Sequence, residues 1–531
     1  MCYIQHMNIE KISDINDIDE LKENLFSLVG EFDQKERNYQ SEIKILNEQI
    51  KSLQDRLFGR KTEKIHKPDG QLPLFDMPEP DLPIQEEPED VTIKEHTRKK
   101  RGRKPLPPNL PRIEVIHELS EEERQCGCGC LRERSGQEVS EQLDYIPAQV
   151  RVIRNIRYKY ACKNCEGTED DKPAVSIARM PDQIIPKSIA TPGLLAHILT
   201  AKFADALPFY RQEKQFKRLG VEIPRSTMCG WAMKTAEACD IILDMMKKAV
   251  LQSDLINIDE TPVRVLKEPG RIKSYMWVFK GTSRGRPVLL YHYDPSRSGD
   301  VAASFLNGYK GIVQTDGYSG YGFLDKKKDI LHVGCWVHAR RKFVEVTKAV
   351  SRKTKTPVGN AATALKYIGK LYKIEKAARE NQLSPREIYE KRQTEAVPIL
   401  EEFKKWLDAT VEKVPPKSLL GKAVNYTLNE WDRLIRYIED GRVGPDNNAV
   451  ENAIRPFVVG RKNWLFSCTP EGARASAAIY SLIETAKANG LEPYWYLKHL
   501  FENLPEAMSD EDFKALLPQQ IDKDQIAVPT P

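Results

Sequence analysis

Between Ile18 and Leu57, apolar side chains recur at alternating steps of four and three residues: Ile18, Leu25, Val29, Phe32, Tyr39, Ile43, Leu46, Ile50, Leu53 and Leu57. Lys22 and Glu36 are the two breaks, and the positions between are mostly charged or amide. A stripe this narrow runs down one side of an α-helix and is fully buried only against a second such stripe. The spacing therefore predicts a coiled coil about five heptads long. A helix packed on its own chain would carry a broader apolar face. The seam over 15–60 thus predicts pairing between copies, giving a homo-oligomer of at least two chains.

At 531 residues the chain has room for three or four domains of roughly 150 residues. With 40% apolar residues it can fill at least one large core, which argues against wholesale disorder. No apolar run approaches the roughly 18 residues of a membrane span, and Met1–Glu10 lacks the apolar stretch of a signal peptide. Neither a membrane protein nor a secreted one is expected. Five of the ten cysteines fall between positions 126 and 165, and the others are scattered singly. A secreted disulfide scaffold would be shorter and more evenly laced, so a cytoplasmic, reducing setting with one clustered site is expected. The net charge of +5 decides little; its segregation into blocks says more.

From His66 to Pro111 the chain is Pro-rich, acidic between Glu79 and Glu95 and then sharply basic. Such a stretch cannot bury enough apolar surface to fold, so 61–111 reads as a disordered linker. Its basic end, Arg98-Lys-Lys-Arg-Gly-Arg-Lys-Pro105, resembles an AT-hook, in which Arg101, Arg103 and Lys104 follow a narrow A·T minor groove. A plain basic tract would still bind phosphates. Within 112–180, Cys126-Gly-Cys-Gly-Cys130 and Cys162-Lys-Asn-Cys165 offer two knuckles, joined by a β-like ribbon, for one tetrahedral structural Zn²⁺. Cys162 and Cys165 supply one pair of ligands, and Cys126, Cys128 and Cys130 compete for the other. Four thiolates leave no open position, so this metal holds structure and performs no chemistry. The region 181–250 reads as helical. Phe209–Leu219, a break at Gly220 and a second helix opening at Pro224-Arg-Ser-Thr227, with Ser226 or Thr227 as N-cap, suit a helix-turn-helix that carries Arg225 to the major groove of double-stranded DNA. Helix hairpins without a DNA role share that pattern.

Strand-like runs follow at Leu255–Ile258, Tyr275–Phe279, Val288–Tyr291, Gly311–Gln314 and Ile330–Val333. A basic helix opens near His338, and helical periodicity continues to about residue 440. After Gly444-Pro445 come a helix, a basic loop and a further helix ending near Leu504, ahead of a polar, loose tail over 505–531. Asp259 follows the first run, Asp316 the fourth, and Glu451 lies on a later helix. Singly, each has a structural alternative: the aspartates suit turns, and Asn448-x-x-Glu451 suits a capping box. As an ordered set they predict an RNase H-like α/β core. Such a core gathers three carboxylates around two Mg²⁺ or Mn²⁺ ions roughly 3.5–4 Å apart for phosphodiester chemistry.

Several motifs carry a resemblance over about residues 18–504. They are Leu57-Phe-Gly-Arg-Lys-Thr-Glu-Lys64, Gly102-Arg-Lys-Pro-Leu-Pro107, Glu141-Gln-Leu-Asp-Tyr-Ile-Pro147, Tyr160-Ala-Cys-Lys-Asn-Cys165 and Asp259-Glu-Thr-Pro262. Thr315-Asp-Gly-Tyr318, Cys335-Trp-Val-His-Ala-Arg-Arg-Lys-Phe343, Asn447-Asn-Ala-Val-Glu451, Gly460-Arg-Lys-Asn-Trp-Leu-Phe466 and Glu484-Thr-Ala-Lys-Ala-Asn-Gly-Leu-Glu-Pro493 follow in order. Together they closely resemble the transposases of the insertion-sequence 66 group.

The resemblance implies a DDE transposase whose catalytic, metal-binding acids correspond to Asp259, Asp316 and Glu451. It implies a multidomain α+β chain with a coiled coil, a zinc-binding β element, a helical DNA-binding region and an RNase H-like core. That core would be split into 251–343 and 441–504 by a helical insertion over 344–440, which accounts for the 135 residues between Asp316 and Glu451. Arg340, Arg341, Lys342, Arg455, Arg461 and Lys462 would flank the acids and grip phosphates, with Trp464 stacking on an unpaired base. Cys335 and His338 could supply metal ligands, but a lone Cys and His beside a β-strand are expected to pack and hydrogen-bond locally. The activity expected is binding of the element's terminal inverted repeats, then metal-dependent cleavage and strand transfer into target DNA, with small accessory proteins encoded by the same element. The alternative is a catalytically inactive DNA-binding regulator derived from such an enzyme.

Overall fold

The computed structural model describes residues 18–58, 114, 116, 140, 142, 149–161, 175–270, 273–350 and 359–526. The basic tract with Arg101, Arg103 and Lys104 and the five clustered cysteines lie outside the described residues. Helix α1 (Ile18–Phe58) carries the heptad stripe, with Phe32, Tyr39, Ile43, Leu46, Ile50 and Leu53 all exposed. A different side of α1 touches the rest of the chain: Gln49 Nε2 donates to the Lys417 carbonyl (3.2 Å) and Lys51 Nζ to the Ala349 carbonyl (2.5 Å). A short antiparallel pair follows, β1 (Lys159–Ala161) with β2 (Val175–Ile177).

Four helices come next: α2 (Pro192–Phe203), α3 (Phe209–Arg218), α4 (Arg225–Ala238) and α5 (Asp240–Leu251). Gly220, at φ +82°, makes the turn between α3 and α4 in a conformation that costs any larger residue strain. The expected N-cap at Ser226 or Thr227 is not used. Helix α4 begins at Arg225, because Glu213 on α3 reaches across and accepts from the Arg225 amide at 3.1 Å. Arg225 itself is exposed at the helix start.

The chain then builds one mixed sheet. β3 (Leu255–Arg264), β4 (Lys273–Ser283) and β5 (Arg286–Asp294) form an antiparallel meander; α6 (Gly299–Phe305) crosses to β6 (Gly311–Gln314), and β7 (Ile330–Val333) closes the order β5-β4-β3-β6-β7. β6 runs parallel to β3, and β7 parallel to β6. Met276, Trp277, Val278 and Phe279 on β4 are all buried, as a central strand covered on both faces requires.

A helical block follows: α7 (Trp336–Val350), α8 (Asn360–Glu380), α9 (Pro385–Lys391), α10 (Val397–Val411), α11 (Leu419–Asn429) and α12 (Trp431–Ile435). It has its own apolar core, in which Trp336, Phe403 and Trp431 pack at 5.9–6.0 Å between ring centroids. Arg392 is buried at its base. Its Nε and Nη2 grip both oxygens of Glu375 (2.8 and 2.7 Å), and it also donates to the carbonyls of Tyr437, Asp440 and Val443. A buried guanidinium is tolerated only when its donors are met in this way. Here they fasten the block to the segment that leads back to the sheet.

Four helices complete the chain: α13 (Asn448–Trp464), α14 (Pro470–Ala488), α15 (Pro493–Asn503) and α16 (Asp510–Ala515). Helix α14 seals the free edge of β5. Ser481 Oγ accepts from the Tyr291 amide (2.8 Å), Thr485 Oγ1 exchanges hydrogen bonds with Leu289, and Asn489 Nδ2 donates to the Pro287 carbonyl, which removes an open strand edge. Two expectations change here. Arg461 and Lys462 lie in the last turn of α13, not in a loop. The tail is not loose through residue 521, because Leu516, Leu517 and Ile521 are buried against the main core.

Candidate active site

The sheet brings Asp259 and Asp316 to the same edge by chain direction alone. Leu255 pairs with Ile312 across the parallel strands β3 and β6, and each aspartate lies four residues further on. Asp259 shares its face of β3 with Asn257 and Thr261, by the two-residue alternation of a strand. Asp316 follows the end of β6, where its Oδ1 accepts from the Tyr318 amide (3.0 Å). Glu451 arrives from the first turn of α13.

The three carboxylates act on one another. Burial, and then the negative charges of Glu260, Asp316 and Glu451, push the Asp259 carboxyl well above the usual range. Burial also raises Glu451, against the pull of Arg341, with Asp446 and Asp316 adding to the rise. The three carboxylates are half-buried and offer oxygen donors alone, the ligand type that a hard divalent cation takes.

Glu451 does not serve a capping box. Helix α13 has Asn447 at its N-cap with no side-chain cap, and the Asn448 amide donates to Asp446 Oδ1 (3.2 Å). The Glu451 carboxylate turns inward instead. His338 Nε2 donates to its Oε1 (3.1 Å) in the Nε2-protonated tautomer, and Arg341 Nη2 stands 3.6 Å from Oε2. The other ring nitrogen of His338 lies 3.9 Å from Asp316 Oδ2, beyond hydrogen-bond reach, so the imidazole sits beside the second acid and is hydrogen-bonded to the third. Burial, with Arg341 and Lys342 beside it, pulls the His338 pKa below its ordinary value despite Asp316.

Ligand atoms of Cys335, His338 and Glu451 all lie within 4.8 Å of one another. Cys335 is a poor ligand, because burial pushes its thiol far up and its sulfur already accepts from the Asn447 amide (3.2 Å). His338 is thus a site residue that the sequence reading left to packing. Its signal is positional: it follows β7, the parallel neighbour of β6, so it emerges at the same sheet edge as Asp316.

A buried amide network sets the helix that carries Glu451. Asn257 Nδ2 donates to Gln314 Oε1 and to Asn447 Oδ1 (both 2.9 Å), Asn447 Nδ2 donates to the Ile258 carbonyl (2.9 Å), and Gln314 Nε2 to the Gly444 carbonyl (2.8 Å). The far end of α13 is tied to the same strand, where the Ser467 amide donates to the Arg264 carbonyl (2.9 Å). Behind Asp316, His332 joins Thr315 Oγ1 (2.8 Å) to Asp325 (2.9 Å), which Arg433 of α12 holds in turn.

The other expected contacts are placed as follows. Arg340, Arg341 and Lys342 lie on α7, and Lys342 Nζ sits 4.4 Å from the centre of the Tyr426 ring. Arg461 Nη1 donates to Thr261 Oγ1 (3.2 Å), Lys462 is exposed, and Arg455 lies on α13 one turn beyond Glu451. Trp464 is half-buried, its ring edge-on to Phe457 at 5.4 Å, so it is engaged in packing rather than presented for stacking on a base.

Comparison with known proteins extends the description. Residues 187–475, which hold all three acids, match the Transposase IS66 family. Residues 45–115 match Transposase C of IS166 homeodomain, 123–166 the zinc-finger binding domain of transposase IS66, and 481–519 the IS66 C-terminal element. The class is therefore that of the transposases, with a zinc-finger domain in the same chain. More narrowly, the chain belongs to the IS66 family. Two relatives from Sinorhizobium fredii, both uncharacterized, illustrate the reach of the similarity. Protein y4qI is 30% identical over 510 residues, covering 92% of this chain and 91% of that one. Protein y4jD is 32% identical over 440 residues, covering 79% and 82%. Among the described residues, no helix is long and apolar enough to cross a membrane.

Proposed function

We propose that the chain is a DDE transposase that acts in the cytoplasm, binds the terminal inverted repeats of its insertion sequence, and cuts and joins DNA at Asp259, Asp316 and Glu451. The observation that carries this reading is the convergence of three carboxylates from β3, the end of β6 and α13, where the charges of Asp316 and Glu451 bear on Asp259 and that of Asp316 on Glu451. The sheet order supports an RNase H-like core formed by β3–β7, the start of α7 and α13, with residues 344–440 as its helical insertion. The three acids would hold Mg²⁺ or Mn²⁺, which when bound supplies Lewis acidity to the attacking and leaving oxygens of a phosphodiester.

The protein's own part is positional. His338, neutral at physiological pH, orients Glu451 by a hydrogen bond without adding a charge, and Arg341 offsets the third acid. Arg340, Lys342, Arg455, Arg461 and Lys462 would hold phosphates along the bound strands, with Arg225 at the start of α4 and the Arg101–Lys104 tract supplying further grip. Cys162, Cys165 and two of Cys126, Cys128 and Cys130 would hold the structural zinc. The exposed seam of α1 would pair two copies so that two element ends meet, with accessory proteins of the element joining them.

The test is a Mg²⁺-dependent cleavage assay on the DNA that flanks this gene. Asp259→Asn and Asp316→Asn should each abolish cutting and leave DNA binding intact. Cutting that survives either change contradicts the assignment, and a wild-type chain that binds the ends without ever cutting favours the inactive regulator.

A further inference from the structure

One cation beside the acids comes from an element that none of the expected contacts occupy. Arg297 lies in the loop between β5 and α6, and its guanidinium is held on two sides. Nε donates to Glu260 Oε1 at 2.7 Å, and Nη2 stands in ion-pair contact with the same oxygen, also at 2.7 Å. Glu260 is 1% exposed at its side chain, accepts from the Tyr321 hydroxyl as well, and is the chain neighbour of Asp259. The guanidinium carbon lies over the Tyr318 ring, 3.9 Å from its centre. Tyr318 donates its hydroxyl to the Arg297 carbonyl (3.0 Å) and its amide to Asp316 (3.0 Å). The guanidinium is thus tied to the immediate surroundings of both aspartates. Yet 42% of the Arg297 side chain is exposed, and Nη1 makes no hydrogen bond among the described residues.

Burying Glu260 as a partner for this arginine is costly in desolvation, and an apolar pair of similar volume would stabilise the fold as well or better. The physical result of the arrangement is a guanidinium whose plane and position are fixed at the rim of an acidic site, with one edge left open. A fixed planar fork is the geometry that matches the non-bridging oxygens of a phosphate, and a flexible lysine would not reproduce it. We infer that Arg297 grips a phosphate of the DNA strand in the proposed cleavage site, with Glu260 and Tyr318 holding its guanidinium in place. The inference rests on the reading that this site works on DNA.

The test separates a phosphate contact from a structural ion pair. Arg297→Met alone strands a buried carboxylate, so it should lower the melting temperature as well as DNA affinity. Arg297→Met combined with Glu260→Gln removes that liability and should recover most of the melting temperature. With a duplex carrying the DNA that flanks this gene, the double variant should still bind several-fold more weakly. Its log–log dependence of affinity on salt should be shallower by about one than that of the wild type. Arg297→Lys, which keeps the charge, should retain the wild-type slope with weaker binding. If the double variant, or Arg297→Met wherever it folds, binds with wild-type affinity and slope, the inference is overturned and Arg297 is only the counter-ion of Glu260. A wild-type chain that binds no DNA overturns both the inference and the functional reading beneath it.

Discussion

Asn447 and Asn448 are adjacent in the chain and opposite in consequence. The side chain of Asn447 is buried and satisfies Asn257 and the Ile258 carbonyl, whereas Asn448 Oδ1 has no hydrogen-bond partner among the described residues. Asn447→Ala leaves two buried polar groups unmet and should cost about 2–3 kcal/mol in urea denaturation. Asn448→Ala should change stability by no more than ~0.5 kcal/mol. A loss near 1 kcal/mol for Asn448→Ala would restore the capping box, and with it the purely structural role of Glu451. The same distinction explains why Glu451 sits among His338, Arg341 and the aspartates: with α13 anchored through Asn447, its glutamate need not close the helix end.

At the scale of elements, the helical block meets the acids from α7, through His338 and Arg341, and from α11 at the Asp316 turn. A Cβ on Gly317, the residue after Asp316, would meet the hydroxyl and ring of Tyr426 on α11, so the Asp316 turn and the block fit each other only with glycine there. Gly317→Ala should slow cleavage and cost roughly 1–3 kcal/mol by overpacking, and adding Tyr426→Ala should return part of both. An alanine variant that melts and cuts like the wild type would show that the block does not set the turn.

Much at this scale was legible in the sequence, and the rest was not for definite reasons. All five strand-like runs fall within β3–β7, because apolar β-branched and aromatic residues mark them. The length of β3 was underestimated, since Asp259-Glu260-Thr261-Pro262 carries no apolar alternation. The order of the three acids was visible, but the role of His338 depends on two strands lying side by side. The Asn257–Asn447 anchor joins residues 190 positions apart, and no local pattern announces such a contact. The tail was misread because its buried Leu516, Leu517 and Ile521 are few and set among polar residues.

At the scale of the whole molecule, a 41-residue helix with an exposed apolar seam is joined to a sheet-based core and a helical block. Placing two charges in the seam with Ile43→Asp and Ile50→Asp should reduce the solution mass by light scattering to that of one 60.8 kDa chain. The melting of the remainder should be unchanged, because both side chains are more than half exposed. A wild-type chain that is already monomeric would contradict the pairing role. The central claim, however, concerns chemistry at the sheet edge, and Glu451 tests it most sharply because the sequence around that residue also suits a purely structural capping box. The most direct measurement is therefore cleavage and strand transfer by wild type and Glu451→Gln on the flanking DNA with Mg²⁺, with folding and DNA binding followed in parallel. The account predicts that Glu451→Gln loses both products while it folds and binds as the wild type does; a glutamine variant that still cuts and joins would contradict it.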